Sequence, residues 1–232
     1  MKKERARPSG SSWNRKMDFD YLPNTPFRLK QVEGMFHFNT DTILLGEFIE
    51  IRRKDSVLDI GTNNGALLLY ASLGEPRALC GVEIQEEAVA CARANLELNN
   101  VEAQIIHGDV REMKGEQYDV IICNPPYFST DEEGYRNLSE SLRIARHEEC
   151  LSLEELSASI NRLMKDNGRA YVVYRASRLF ELAKAFNDRK LRIVRMKPVY
   201  DENKENAVSV LLEIRRGMNR EVKVVKPCVI QR

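Results

Sequence analysis

The sequence has few residues of the kinds that bind metals, and it has no long apolar segment. Its 232 residues include three histidines and five cysteines, and no two cysteines have the CxxC spacing. Because zinc sites need several cysteine or histidine ligands at short spacings, we expect no metal site. No apolar stretch approaches the roughly 18 residues that a membrane-spanning helix requires, so we expect no membrane partner.

We also expect no signal peptide. Its first residues, MKKERARPSGSSW, are basic but lack the apolar stretch of a signal peptide. Three of the cysteines, Cys80, Cys91 and Cys123, lie in apolar strand or helix patterns. Such positions are typical of reduced core thiols, so we predict a cytoplasmic protein.

The two ends of the chain are basic although the formal net charge is only +1. Residues 1–30 contain eight Lys or Arg and three Asp or Glu. Residues 215–232 contain six Lys or Arg and one Glu. The intervening residues are therefore net negative. Basic ends favour binding of a polyanion, but charged ends that only keep the chain hydrated explain them equally well.

Residues 1–26 are predicted to form a flexible basic leader, because prolines, glycine and serines interrupt them. Residues 27–232 are predicted to form a single domain in which strands and helices alternate. The predicted strands are 56–60, 78–84, 103–107, 118–123, 170–174, 192–196 and 207–214. The predicted helices lie within 38–51, 65–73, 86–99, 152–166 and 178–186, where Thr40 would cap the first and Gly168 would stop the fourth.

The alternation predicts an α/β fold with a mostly parallel sheet and helices on both faces. Only about eight residues link the last two of the seven strands. A parallel crossover needs a longer link, so the last strand is predicted to be antiparallel, forming a C-terminal hairpin.

The stretch LDIGTNNG, residues 58–65, places Asp59, Gly61 and Gly65 between a strand and a helix. Glycines let a ligand approach the backbone closely, and Asn63 tolerates the left-handed conformation. The GxGxxG pattern of dinucleotide-binding loops is absent, which argues against NAD.

Three polar residues follow the next strands at their carboxyl ends, where ligands of open α/β sheets bind. Glu83 can accept both hydroxyl hydrogens of a ribose, and Asp109 can accept from an adenine amine. No Lys or Arg lies within 58–65 to hold phosphates, so the acidic lining fits S-adenosylmethionine. Alternatively, Asp59 only caps its loop and Glu83 is only a hydrated strand end. The predicted cofactor-binding residues are Asp59, Gly61, Asn63, Gly65, Glu83, Ile84, Asp109, Val110 and Asn124.

The motif Asn124-Pro125-Pro126-Tyr127 follows the fourth strand. Methylating an exocyclic amine is difficult because the nitrogen lone pair is delocalised into the ring. The Asn124 side-chain oxygen and the Pro125 carbonyl can accept both amine hydrogens, and the fixed φ angles of two prolines orient these acceptors in advance. Tyr127 can stack on the base. These four residues are the predicted catalytic set.

The chain resembles the Asn-Pro-Pro-Tyr class of Rossmann-like methyltransferases, and within it the family of tRNA adenine-N6 methyltransferases that modify the anticodon loop of valine tRNA. The resemblance covers roughly residues 27–217. It implies a Rossmann-like methyltransferase fold, a tRNA substrate, and Thr40 and Asp41 beside the methionine end of the cofactor. We expect a monomer or weak homodimer. The resemblance is carried by VLDIGTNNG, GVEI, GDV, CNPPYF, GMFHFNTDTILLGEF, RIARHE and RMKPVYDENKENAVSVLLEIRRG.

Three other functions remain open at this point. The same motif suits a protein methyltransferase that modifies a glutamine amide at N5, although residues 1–37 are short for a partner-docking domain. It also suits an enzyme that methylates N2 of guanine in rRNA. A non-enzymatic RNA-binding scaffold is the third alternative, and the intact catalytic motif argues against it.

Overall fold

The computed structural model describes residues 19–31, 37–125, 151–217 and 221–231. Its described helices are α1 (Thr40–Phe48), α2 (Ala66–Ser72), α3 (Glu86–Leu98), α4 (Leu153–Leu163) and α5 (Leu179–Asn187), with a 3₁₀ turn at Ala176–Arg178. Its described strands are β1 (Phe19–Tyr21), β2 (Arg28–Lys30), β3 (Ser56–Ile60), β4 (Ala78–Glu83), β5 (Gln104–His107), β6 (Tyr118–Cys123), β7 (Met164–Arg175), β8 (Leu191–Asp201), β9 (Ala207–Arg216), β10 (Lys223–Val224) and β11 (Cys228–Ile230).

Nine of these strands form one sheet in the order β10-β8-β9-β7-β6-β3-β4-β5, and β11 also pairs with β8. Strands β7, β6, β3, β4 and β5 are parallel neighbours, whereas β9 runs antiparallel between β7 and β8. The predicted α/β fold with a C-terminal antiparallel hairpin is therefore confirmed. The short strands β10 and β11 extend the predicted seven, at the edge formed by β8.

Strands β3 and β6 are hydrogen-bonded neighbours. The order in which successive strands are added to the sheet reverses at this pair. Strands β4 and β5 extend the sheet on one side of this pair, and β7 and β9 extend it on the other. In open α/β sheets, the carboxyl ends of the strands at such a switch point form the ligand-binding crevice. Asp59 and Asn124 belong to these two strand ends.

Helices cover both faces of the sheet, with a separate apolar core on each face. The core beneath α1, α2 and α3 includes Leu45, Leu68, Ala92, Val57 and Ile122. The opposite core, beneath α4 and α5, includes Leu156, Ile160, Phe186, Leu58 and Ile121. Within the described ranges, no helix has both the length and the apolar character needed to cross a membrane.

The end of α4 differs from its prediction. Helix α4 ends at Leu163, and Met164 already has an extended backbone with φ −90° and ψ 131°. The predicted stop at Gly168 is wrong, because Gly168 lies inside β7, beside residues that pair with β6. Pairing with a buried neighbouring strand thus replaces the last helical turn that local sequence favoured.

Residues 19–26 also differ from the predicted flexible leader. Strand β1 pairs antiparallel with β2, and Leu22 is buried between the hairpin and the domain. The Asn95 side chain of α3 holds this hairpin, since it accepts from the Lys30 amide over 2.7 Å and donates to the Lys30 carbonyl over 3.0 Å. The same amide donates to the Asn64 carbonyl over 2.9 Å. One side chain therefore joins the hairpin to the loop that follows β3.

Candidate functional site

Asp59, Glu83 and Asn124 lie at the carboxyl ends of neighbouring strands and on the same face of the sheet. Side chains alternate between faces along a strand. Asp59 shares its face with Val57, and Asn124 shares its face with Ile122, both of which lie in the core beneath α1, α2 and α3. The structure therefore brings together the groups that the sequence predicted to meet.

The loop after β3 bends sharply through three positive φ angles, at Gly61 (+69°), Asn63 (+49°) and Gly65 (+83°). Left-handed backbone costs little for glycine and is better tolerated by asparagine than by most residues. The bend directs the Gly61 amide to the Val82 carbonyl over 2.9 Å. Gly65 then serves as the N-cap residue of α2. The loop is thus anchored to β4 before the helix begins.

Glu83 holds this loop in place. Its Oε2 accepts from the Asn63 amide over 2.9 Å, and its Oε1 accepts from the amides of Ile84 and Gln85 over 2.9 and 3.0 Å. The carboxylate is buried, so it is not a hydrated strand end. Three of the roughly four acceptor sites of the carboxylate are therefore occupied, and the remaining site lies on Oε2. Ile84 is exposed beside it.

Asp59 is fully buried, and its two carboxylate oxygens have different environments. The Thr62 hydroxyl donates to Oδ2 over 2.7 Å. Within the described part of the chain, Oδ1 has no hydrogen-bond partner although it is buried. Burial raises the pKa of Asp59 to about 7, the Thr62 hydrogen bond opposes this rise, and the negative charge of Glu83 adds to it. Asp59 thus caps its loop and also keeps one oxygen unpaired.

Asp109 is paired with a cation that the sequence analysis did not consider. The Arg111 amide donates to Asp109 Oδ1 over 2.8 Å, and the Arg111 guanidinium contacts Oδ2 over 2.6 and 2.7 Å. These hydrogen bonds lower the pKa of the Asp109 carboxyl. Arg111 also contacts Glu155, at the start of α4, over 3.2 Å. The neighbouring Val110 is buried.

Asn124 is partly buried, and its amide nitrogen donates to the Thr42 hydroxyl over 3.0 Å. Thr42 itself donates to Asn39 Oδ1 over 3.2 Å. With its nitrogen engaged in this way, Asn124 has its side-chain oxygen available as an acceptor. Pro125 is buried beside it. Pro126 and Tyr127, the other two predicted catalytic residues, lie outside the described residues.

The first turn of α1 lies over this edge of the sheet. Asn39 rather than Thr40 caps the helix, so the predicted cap is wrong by one residue; Asn39 and Thr42 form a capping box. Asp41 Oδ1 accepts from the Ser209 hydroxyl of β9 over 2.8 Å. The turn that contains Thr40 and Asp41 therefore contacts both β6 and β9.

Four contributors to the site were missed by the sequence analysis. The spacing of Asn39 and Thr42 is a capping signal, but it does not reveal the contact with Asn124. Thr62 and Arg111 bond to Asp59 and Asp109, three and two residues away, so their spacing is a local signal. The contact of Ser209 with Asp41 becomes visible only when separate elements pack together. The missed residues are Thr42, Thr62, Arg111 and Ser209. Among the residues that the structure describes, no group of His, Cys, Asp or Glu side chains could hold a metal ion.

Residues 27–178, which include the parallel strands β3 to β6 and the groups at their carboxyl ends, match the methyltransferase small domain family. The chain belongs to this family of methyltransferases. Two relatives are both named tRNA1(Val) (adenine(37)-N6)-methyltransferase. The protein from Shewanella sp. (strain MR-4) is 31% identical over 68% of each chain, and that from Dyadobacter fermentans is 28% identical over 87% of this chain and 84% of its own.

A solved structure shows the same fold at lower sequence identity. The Thermus thermophilus 16S rRNA N2 G1207 methyltransferase, in complex with AdoMet and guanosine, superposes with a TM-score of 0.64 at 18% identity. The match covers 92% of this chain and 53% of that chain. The comparison supports the Rossmann-like methyltransferase fold.

Proposed function

We propose that this chain transfers a methyl group from S-adenosylmethionine to the exocyclic N6 of an adenine in the anticodon loop of a tRNA. Membership of a methyltransferase family and relatives named as tRNA adenine-N6 methyltransferases support this activity. The observation that carries it in the structure is Asn124, whose nitrogen is engaged by Thr42 while its oxygen remains an acceptor beside the acidic strand ends.

The strand ends of β3 and β4 fit the cofactor. The unpaired, buried oxygen of Asp59 suits a ligand that brings positive charge or a hydrogen-bond donor. Glu83 Oε2 retains one acceptor site for a ribose hydroxyl, and Asp109 offers acceptor sites for an adenine amine, although Arg111 already occupies part of the Asp109 capacity. The bound cofactor would supply the methyl group from its positively charged sulfur, and breaking that S–C bond would leave S-adenosylhomocysteine as the second product. The set also includes Gly61, Asn63, Gly65, Ile84, Val110, Thr40 and Asp41.

Asn124 and Pro125 act on the target amine. The Asn124 oxygen accepts one amine hydrogen and the Pro125 carbonyl accepts the other, which orients the nitrogen lone pair toward the methyl carbon. Two prolines fix this backbone before substrate binds, so little reorganisation is needed at the moment of transfer. Tyr127 stacks on the adenine. The product releases its extra proton to solvent, so no general base is required before transfer.

An adenine in an anticodon loop is a suitable substrate because it is unpaired, and its extrusion into a pocket costs little. The basic ends of the chain favour a polyanion of this kind. We further propose that the enzyme acts in the cytoplasm as a monomer or weak homodimer. A glutamine amide or a guanine N2 would require the same two acceptors, but the relatives named for adenine N6 favour the tRNA substrate.

The test is Asn124→Ala, assayed for methyl transfer to tRNA and, separately, for S-adenosylmethionine binding by calorimetry. We expect transfer to fall by at least about a hundredfold, the range seen when one preorganised hydrogen-bonding group is removed, while cofactor affinity stays close to that of the wild type. Asn187→Ala, an exposed position on α5 on the opposite face, is the matched control and should retain activity.

The product identifies the substrate. Nucleoside mass spectrometry of the treated tRNA should show N6-methyladenosine that depends on Asn124. Methylated protein without methylated tRNA would replace this proposal with the glutamine activity, and methylated guanosine would replace it with the N2 activity. Loss of cofactor affinity equal to the loss of transfer would contradict the role given to Asn124.

A further inference from the structure

A polar cavity lies on the far side of Asn124 from Asp59 and Glu83, and it shares Asp41 with the proposed cofactor set. It has a volume of about 460 Å³. It opens at the carboxyl end of β7 and the start of β9, beneath the first turn of α1. Its polar lining residues are Asp41, Arg175, Ser177, Lys204 and Ser209. No step of the mechanism above uses Arg175, Ser177 or Lys204.

Two cations, Arg175 and Lys204, and one carboxylate, Asp41, line the cavity. Arg175 is the last residue of β7, and its backbone pairs with Ser209 of β9. Lys204 extends from the exposed turn between β8 and β9. The carboxylate, Asp41, already accepts from the Ser209 hydroxyl over 2.8 Å. The cavity is therefore net positive and suits an anionic ligand.

The strand register relates this cavity to the catalytic motif. Cys123 of β6 pairs with Val172 of β7, so Asn124 is level with Val173, two residues before Arg175 on the same face. Strands lie about 4.8 Å apart and rise about 3.3 Å per residue, so the Asn124 and Arg175 backbones are roughly 8 Å apart. One ligand could occupy both places, with a planar group at Asn124 and an anionic group in the cavity.

The order of the strands separates this cavity from the cofactor. Asp59 and Glu83 lie on β3 and β4, on one side of β6, whereas Arg175 and Ser209 lie on β7 and β9, on the other. A cofactor held by Asp59 and Glu83, with its methionine end toward Asp41, thus leaves Arg175 and Lys204 to the substrate. The repeating anion of an RNA substrate is its phosphodiester, which Arg and Lys side chains recognise.

We propose that Arg175 and Lys204 bind a backbone phosphate next to the nucleotide that is methylated. This inference rests on the proposed function, because it takes RNA as the substrate. The contact positions the strand and carries no base specificity. It fixes how far the target adenine can reach toward Asn124.

The experiment measures binding of a synthetic anticodon stem-loop RNA over a series of salt concentrations. The double variant Arg175→Gln/Lys204→Gln should bind RNA more weakly, and the slope of log affinity against log salt should fall by about 0.7 to 1, because one phosphate contact is lost. Cofactor affinity should not change. The control Arg53→Gln/Lys54→Gln removes the same charge next to the amino end of β3, and it should keep the wild-type slope.

The single variant Lys204→Glu keeps the test decisive if the double variant misfolds. Lys204 is exposed, so this substitution should leave the fold intact. It should also weaken RNA binding. A salt slope equal to that of the control pair would overturn the phosphate site while leaving methyl transfer intact. Loss of cofactor affinity instead of RNA affinity would assign the cavity to the cofactor and also overturn the inference. A wild-type protein that neither binds nor methylates the RNA would overturn the proposed function together with the inference.

Discussion

The Asn124 amide nitrogen donates to the Thr42 hydroxyl over 3.0 Å, across 82 positions of the sequence. This bond joins the strand that carries the catalytic motif to the first turn of α1. It also decides which atom of the Asn124 amide remains available, because the nitrogen is engaged and the oxygen has no partner among the residues that the structure describes. The orientation of the proposed acceptor therefore depends on a helix far from it in sequence.

Thr42→Val tests this dependence, because valine keeps the shape of threonine and removes the hydroxyl. Asn124 would lose its partner, and a lost or unsatisfied hydrogen bond of this kind costs about 1 to 2 kcal/mol. We expect kcat for methyl transfer to fall about tenfold, with cofactor affinity unchanged. Thr42→Ser restores the hydroxyl and should recover most of the activity. An unchanged kcat in the valine variant would show that Asn124 is oriented by other contacts.

Cofactor binding should depend on the protonation of Asp59. Its pKa is raised to about 7 by burial, so the carboxyl is largely neutral below that pH. A cationic ligand favours the charged form, so affinity for S-adenosylmethionine should fall as pH decreases below about 7, by at most about tenfold per pH unit, and level off above it. Calorimetry at several pH values measures this. The Asp59→Asn variant should bind S-adenosylmethionine more weakly, and its affinity should not change with pH. A wild-type affinity that does not change with pH would refute the link between cofactor binding and the protonation of Asp59.

The same carboxyl should influence stability without any ligand. Its folded-state pKa is about 7, far above the ordinary 3.8, so the folded state holds a proton that the unfolded state releases. Stability from this group is therefore full below about pH 4 and is lost as pH rises through about 7. Asp59→Asn, which cannot ionise, should melt at a higher temperature than the wild type above pH 7 and at a similar temperature near pH 4. A melting-temperature difference that is the same at both pH values would argue against this account.

Arg111 is predicted to position Asp109 for the cofactor. Arg111→Ala removes the guanidinium that contacts Asp109 Oδ2 and Glu155. We expect KM for S-adenosylmethionine to rise severalfold with a smaller change in kcat, because the lost contact affects binding and not the reacting atoms. Glu155→Gln keeps the pair between Arg111 and Asp109, so its KM should stay near that of the wild type. A fall in kcat alone would contradict a binding role.

Gly46 is predicted to be essential for the contact between α1 and α2. A Cβ at this position would overlap the Tyr70 ring, which is buried and whose hydroxyl donates to the Pro23 carbonyl over 2.8 Å. Alanine favours a helix by up to about 1 kcal/mol, but overpacking costs about 1 to 3 kcal/mol. Gly46→Ala should therefore lower the free energy of unfolding by about 1 to 2 kcal/mol in urea titration. Gly108→Ala, where the nearest atom is 3.9 Å away, is the control and should change it little.

Local sequence signals predicted most elements of this fold because the forces that form them are local. The seven main strands follow apolar runs, and the capping box of Ser152 and Glu155 starts α4 as expected. Asp59, Glu83 and Asn124 were located because the ends of parallel strands share one edge. Their spacing along the chain was sufficient for that prediction.

The remaining features depend on contacts between distant segments, which no local pattern encodes. Arg111 and Asp109 are close in sequence, yet their link to Glu155 appears only when α4 packs beside the segment between β5 and β6. The contact of Thr42 with Asn124, and that of Asp41 with Ser209, require the first turn of α1 to lie over the sheet. Strands β10 and β11 are short and gain their pairing only from the open edge of β8.

Asn95 links the amino-terminal hairpin to the loop that follows β3, next to the proposed cofactor site. Its amide is shared between Lys30 and the Asn64 carbonyl, so a shift of the loop after β3 alters the hydrogen bonds of β2 directly. Ordering of that loop by a ligand should slow amide hydrogen exchange at Lys30, well away from the reacting atoms. The hydrogen-exchange rate of the Lys30 amide in β2 would therefore show whether the cofactor is bound.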